Sequence, residues 1–456
     1  MAAAAATTTT GPAGATGPFS WALARLRREP LSPDLPTGDD LPIAQHIEQL
    51  CHRLNHQWRD RLLTPLVTIR LFVLQVLHGN TAITHLPHLA GLSFTSGSYT
   101  EARQRLPLQL LQCLMHQMAG WVDCATTTTT SSSSSLLLGQ RVLLGDGSSA
   151  SMPDTPPLRQ RFGLPTHQRL GIGYPVARIM GLLDLATGLF IELLALPLFT
   201  HDLPNLIKLH RCLRPGDVLL GDRAFCSFAH FCLLNAGGCF GCFRLHQARK
   251  VPALGGGIQR WLKPKVPPPW MSVEQYESLP PLLDVRLVHY TIINRGYRTR
   301  EVWLATTLLD EQQWPDERLI NLYGRRWTIE TCFAHLKTTL RMDVLKCKTV
   351  DGVLKELAVY LIVYNLIRLL MLKAAATTTQ PAVAIDRLSF IDTARALAAM
   401  LLGLSSGRQK LLINPRRPGR HEPRMIRRRP TQYDLLTQPR AAYREPAAAS
   451  MRRRKR

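Results

Sequence analysis

The chain has 456 residues, 45% hydrophobic and 19% charged, and its 56 Lys and Arg against 32 Asp and Glu give a net charge of +24. That length allows two or three domains around a large core, and such a charge suits a polyanionic partner. The Ala/Thr/Gly-rich start has no basic stretch followed by an apolar one, which argues against a secretory signal; the ten scattered cysteines then fit a reducing cytoplasm.

In chain order, residues 1–37 read as a disordered tail. Residues 38–124 read as helical, with Ile43, Ile47, Leu50 and Leu54 on one face. A polar break within them offers Ser98 or Thr100 as the cap of a helix that carries Arg103 and Arg105. That helix either meets a polyanion or is a solvated basic face. A Thr/Ser tract makes residues 125–138 a flexible linker. The core, residues 139–373, then reads as strands near 141–146, 176–185 and 190–198, a helix over 203–212 and a strand over 217–222. A helix over 228–236 and a strand over 239–245 follow. Residues 247–301 begin Pro/Gly-rich and turn to strand-like alternation through Val285, Leu287 and Tyr290, a β-rich insertion. The apolar run 354–372 is long enough to raise a membrane span, but Asn365 and Arg368 interrupt it, so a buried closing helix is expected and no membrane partner. Residues 374–456 read as a basic, largely disordered tail, with 16 basic against 3 acidic residues from Leu401 onward. Cys239 and Cys242 have zinc-like spacing, but a strand points them to opposite faces, so buried reduced thiols are expected.

Three acids stand out. Asp146 and Asp222 each close a Leu-Leu-Gly-Asp run, where a hydrophobic strand emerges. Gly-Asp is also ordinary turn chemistry, but two near-copies ahead of Glu330 are harder to read that way. Glu330 lies in the stretch from Tyr323 to Lys337, where residues seven apart stack on one helical ridge. Tyr323, Glu330 and Lys337 form that ridge, with Arg326 one turn in and slightly aside. Three carboxylates without His or Cys suit a hard cation, Mg2+ or Mn2+ in its place. Two such ions about 3.5–4 Å apart can hold both oxygens of an in-line phosphoryl transfer. Arg326 and Lys337 are placed to grip phosphates and Tyr323 to bond one, so the implied reaction is DNA strand cleavage and transfer.

The order Asp146, Asp222, Glu330, with Tyr323, Arg326 and Lys337 at the spacing Tyr-x2-Arg-x3-Glu-x6-Lys, resembles the DDE transposases of bacterial insertion sequences. More narrowly it resembles the YREK-signature group, the "insertion sequence four" type. Asp-Gly-Ser around Asp146 and Gly-Asp-Arg-Ala-Phe around Asp222 are similar to the contexts of that family's first and second acids. The resemblance implies an α/β fold with a ribonuclease-H-like catalytic core, a β-rich insertion and a small helical domain before it, and the predicted strand order agrees. It also implies divalent metal, binding of double-stranded DNA ends by the helical domain, a homodimer assembled on DNA, and a nucleoid-associated cytoplasmic protein. Excision through hairpin ends is the group's common route, helped by a strand tryptophan. Trp303 has the matching context, a core tryptophan being the equal alternative. Two other functions stay open on sequence: a metal-dependent nuclease without strand transfer, and an inactive or domesticated DNA-binding protein.

Overall fold

The computed structural model describes residues 43–118, 121, 139–165, 173–249, 256–292, 301–377, 385–402 and 411–414. The predicted tail 1–37 and linker 125–138, and the chain from 415 onward, lie outside the described residues. Helices come first: α1 (Ile43–Arg53), α2 (Pro65–Leu77), α3 (Leu86–Ala90), α4 (Ser96–Arg105) and α5 (Leu108–Met118). The cap of α4 differs from expectation. Thr95 is the N-cap, and its hydroxyl accepts from the Ser98 N–H at 3.1 Å while the Ser98 hydroxyl accepts from the Thr95 N–H at 3.2 Å. A reciprocal capping box satisfies two helix-end donors, which a lone Ser98 or Thr100 would not.

One mixed sheet of eight strands follows, in the order β3-β2-β1-β4-β5-β8-β7-β6. In chain order its elements are β1 (Val142–Ser151), α6 (Pro156–Phe162), β2 (Val176–Asp184), β3 (Phe190–Leu196), α7 (Asp202–Ile207), β4 (Val218–Gly221), α8 (Phe228–Ala236) and β5 (Phe240–Arg244). Next come β6 (Gly257–Leu262), α9 (Val273–Glu277), β7 (Leu282–Thr291) and β8 (Glu301–Thr306). β1, β4 and β5 run parallel, and the other pairs are antiparallel. β6 and β7, from the segment read as an insertion, extend the sheet itself, since β7 pairs with β8 and β8 with β5.

Strand alternation splits the core into two layers. Leu144, Leu220, Cys242 and Leu304 face a large layer built on the helices, whereas Leu143, Leu219, Phe243 and Ala305 face a smaller one over α7 and α8. Cys242 lies in the first layer and Cys239 in the second, as the strand reading required. Burial pushes the Cys242 thiol up to about 12, which keeps it protonated and inert.

After β8 come α10 (Asp316–Gly324), α11 (Trp327–Ala334), the long α12 (Val350–Thr377) and α13 (Phe390–Leu401). α13 falls inside the stretch read as tail; Phe390, Ala394, Leu397 and Leu401 give it a buried face that packs on α12 and α2. α12 is apolar and long enough to cross a membrane, with a mean hydropathy of 1.7, yet its apolar window is 89% buried in the protein. It packs against α2, α5, α13 and β3. Its interrupting polar residues do specific work at the edge of the sheet. The Asn365 carboxamide donates to the Phe190 carbonyl at 2.9 Å and accepts from the Phe190 N–H at 3.0 Å. Tyr364 donates to the Gly188 carbonyl at 3.2 Å, and Arg368 donates to that of Thr187 at 3.0 Å. Edge strand β3 therefore finds partners on a helix. Asn365→Leu should cost about 2–6 kcal/mol by urea denaturation, because two buried backbone groups lose their partners at roughly 1–3 kcal/mol each. An unchanged urea midpoint would show that this clasp contributes nothing.

Candidate active site

The two Leu-Leu-Gly-Asp runs are neighbours in space. β1 and β4 pair in parallel, and Leu144 registers with Leu220. Asp146 and Asp222 each lie two residues beyond that pair, so alternation sends both toward the helical layer that holds Leu144 and Leu220. The preceding glycines have a shared reason. A Cβ on Gly145 would sit 2.6 Å from Leu206, and one on Gly221 would sit 2.7 Å from Phe225. The opposite layer closes onto the sheet at these points, and only glycine leaves room.

Glu330 arrives on the same face from α11, which packs across β1. The helix that carries it is not the unbroken one expected. α10 ends at Gly324, Arg325 and Arg326 form a turn, and a π-helical turn over His335–Thr339 follows α11. Across the junction the Arg325, Arg326 and Thr328 N–H groups bond three residues back, to Leu322, Tyr323 and Arg325. Bonding of that kind tightens the chain between Tyr323 and Glu330 into a turn. The break sets Arg326 between the acids: its guanidinium is 3.0 Å from Glu330 and 3.7 Å from Asp146. Arg326 is only 7% exposed and also stacks over Trp327 at 4.7 Å.

The electrostatics show the three acids share one field. Burial pushes the Asp146 carboxyl up to about 6; the Gly147 N–H at 2.8 Å and Arg326 oppose this, while the charges of Glu330 and Asp222 add to it. Burial alone would lower the Arg326 pKa, but Tyr323, Glu330, Asp146 and Asp222 together raise it. Among the described residues no three His, Cys, Asp or Glu side chains form a ready-made metal cage. Arg326 spans two of the acids, Asp146 and Glu330. The donor chemistry still fits a hard cation, since only carboxylates meet here and Asp146 remains short of positive charge.

The remaining predicted residues fare differently. Tyr323 is buried and its hydroxyl donates to the Gly221 carbonyl at 3.3 Å, so it is engaged inside the protein rather than presented to a phosphate. Lys337 sits half-buried on the π-helical turn, one segment beyond Glu330, and makes no ion pair among the described residues. Trp303 belongs to the opposite layer, because Val302 and Leu304 on either side of it face the helices. It stacks on His289 with centroids 4.4 Å apart, which separates it from the acids by the sheet.

Two features escaped the sequence. Arg178 on β2 and Asp202 at the start of α7 pair beside Asp146, Ser148 and Ser149 around a cleft of about 440 Å³. No spacing signals a pair 24 residues apart that only the β1–β2 pairing and α7 bring together. A second groove of about 890 Å³ is lined by His56, Trp58, Arg59, Arg61, Phe94 and Arg105. Of the two arginines expected on one basic face, Arg105 lines this groove. Arg103 turns inward, over the Phe72 ring at 3.7 Å and 2.9 Å from the Cys347 sulfur.

Fold and site together define a basic, mixed α/β protein with an acidic, arginine-bridged centre on one sheet face. The transposase DDE domain matches residues 138–366, and the chain belongs to that family. It is similar to the transposase InsG for insertion sequence element IS4 of Escherichia coli (strain K12), at 26% identity over 325 residues, covering 65% of this chain and 69% of that one. A solved structure, the piggyBac transposase synaptic complex with hairpin DNA, aligns over 80% of this chain and 78% of its own, at 10% identity and a TM-score of 0.42.

The raised Asp146 carboxyl has a consequence for stability. Its folded pKa of about 6 lies above the ordinary 3.8, so above pH 6 the folded state holds a charge that the unfolded chain solvates better. That cost is relieved as pH falls through 6 toward 3.8. Asp146→Asn should therefore raise the urea midpoint at pH 7–8, with the gain shrinking below about pH 6 and vanishing near pH 4. A variant no more stable than the parent at pH 8 would mean that Asp146 is not held against its preference.

Proposed function

We propose that this DDE transposase is an active cut-and-paste enzyme whose Asp146, Asp222 and Glu330 hold divalent metal, with Mg2+ the expected ion and Mn2+ able to replace it. The observation that carries the reading is the convergence of the three acids. Two stand at equal offsets on adjacent parallel strands, and the third reaches the same face through Arg326. The order β3-β2-β1-β4-β5, with β1, β4 and β5 parallel and β2 antiparallel between β1 and β3, supports a ribonuclease-H-like core. Family membership implies DNA as the substrate and a nucleotidyl-transfer reaction, and members generally depend on divalent metal.

Bound between the carboxylates, such ions would activate the attacking oxygen and stabilise the leaving one. The protein's own residues supply the rest. Arg326 neutralises Asp146 and Glu330 in the resting site. Its planar fork is suited to grip a non-bridging phosphate oxygen, and it would be free to do so were a bound cation to balance the two carboxylates. Lys337, without an ion pair among the described residues and one segment further along, provides a point charge for the next phosphate. The basic groove beside Trp58 and Arg105 is where we place contact with the DNA end, in keeping with a helical end-binding role for residues 38–124. The end complex is proposed to be a homodimer in the nucleoid-bearing cytoplasm, and excision through hairpin ends is the route to be distinguished from direct strand transfer.

Purified protein, Mg2+ and a labelled element end should give cleavage followed by a hairpin or strand-transfer product. Asp146→Ala, Asp222→Ala and Glu330→Ala should each abolish cleavage and leave end binding intact in a gel-shift assay. Normal cleavage by all three variants would remove the site assignment. Nicking without joining would favour the nuclease reading. Lys337→Ala should weaken end binding and flatten its salt dependence by about one phosphate contact, with metal binding unchanged; wild-type affinity at every salt concentration would exclude that contact.

A further inference from the structure

Of the three acids, Asp222 is held the least directly. Asp146 accepts from the Gly147 N–H and Glu330 is paired with Arg326. Among the described residues the Asp222 carboxylate accepts no hydrogen bond and β4 ends one residue before it, so its aim depends on the backbone that carries it. That backbone is gripped on both sides. On the upstream side the buried Tyr323 hydroxyl donates to the Gly221 carbonyl at 3.3 Å. Downstream, the chain turns through Arg223–Phe225, and the Phe225 carbonyl lies 2.7 Å from Nδ1 of His230.

His230 is fully buried, its ring stacked between His210 and Phe243 at 5.1 and 5.0 Å. Its tautomer follows from its partners. A carbonyl can only accept, so Nδ1 carries the proton, and Nε2 accepts from Nε2–H of His210 at 3.1 Å. The two-histidine stack therefore holds one donor in one orientation. Phe243 completes the grip, because a Cβ on Gly221 would meet it at 3.3 Å.

We propose that Tyr323 and His230 are positioning residues that fix Asp222 for metal binding by clamping the carbonyls of Gly221 and Phe225. The proposal rests on Asp222 being a metal-ligating carboxylate. It gives Tyr323 a different role from a phosphate contact, and it assigns His230, which belongs to no signature, a part in the reaction.

The test uses the full chain without DNA, titrated with Mn2+ and followed by the electron paramagnetic resonance signal of the free ion. End binding and thermal melting are measured alongside. Tyr323→Phe and His230→Phe each remove one donor and keep the ring. Both should raise the Mn2+ midpoint by about 10–100-fold, the usual loss when a partner that orients a metal ligand is removed. End affinity and melting should stay close to the parent's, and His230→Asn, whose amide can replace Nδ1–H, should recover most of the loss. Asp222→Ala separates the two layers of argument. If it binds Mn2+ and cleaves normally, the underlying site reading fails. If it is defective while Tyr323→Phe and His230→Phe bind Mn2+ as the parent does, the clamp is overturned. Loss of end affinity in Tyr323→Phe at an unchanged Mn2+ midpoint also overturns it. Should His230→Phe misfold, Tyr323→Phe together with failure or success of His230→Asn decides the matter.

Discussion

Arg326 is the charge that lets this sheet face exist as described. At about 4 Å and an effective dielectric near 20, two unit charges interact by about 4 kcal/mol, a large part of a domain's whole stability. Asp146 and Glu330 each lie within reach of the same guanidinium, with Asp222 adding to the field. The face they share is also the more apolar side of the sheet, packed with α11, α12 and their neighbours. Carboxylates in such a place must be neutralised by a proton, an internal cation or a bound one. The protein uses the second in its resting form, and Asp146 leans toward the first.

The same constraint shows what the sequence could and could not convey. Asp146 and Asp222 were legible because each closes a short branched-aliphatic run, and runs of that kind make buried strands, although β1 continues past Asp146 to Ser151. Strand positions were legible for a related reason: alternation, not motif, sorts Leu143 from Leu144 and Cys239 from Cys242. The ridge from Tyr323 to Lys337 was read as continuous because nothing in its composition forbids a straight helix. The i→i−3 turn at Arg325 and Arg326 is set by tertiary context, by the demand that Tyr323 pack beneath β4 while Arg326 faces the acids. Trp303 stayed open on sequence between a strand tryptophan that helps excision and a core tryptophan. A correct strand was predicted, but a one-residue parity decides its face, and that parity is fixed by pairing with β7 and β5.

Residues that act through others were the least legible. His230, Arg178 and Asp202 have unremarkable sequence neighbours, and their partners lie many residues away. Their significance comes from what the fold places opposite them. By contrast, Asn365 and Arg368 announced themselves as polar interruptions in an apolar run, and each proves to serve a backbone group at the β2–β3 turn or edge strand.

The long helix α12 extends this logic through the molecule. Near its start, Glu356 is 1% exposed and gathers the Asn80 side chain at 2.6 Å together with the Lys346 and Cys347 N–H groups. One residue earlier, Lys355 donates to the Gln104 carbonyl at 2.8 Å, near the C-terminal end of α4, where a cation is favoured. Its later half holds the sheet edge through Tyr364, Asn365 and Arg368. An uninterrupted apolar helix of this length could have faced lipid as readily as protein. Lys355, Glu356, Tyr364, Asn365 and Arg368 all bond to other parts of the protein, so the helices before the sheet, the segment after Glu330 and the edge strand are fastened to α12. The N-terminal helices are therefore not a loosely tethered module. Asn80, in the turn after α2, is joined through the buried Glu356 carboxylate to residues 346–347, in the chain that leaves the glutamate helix.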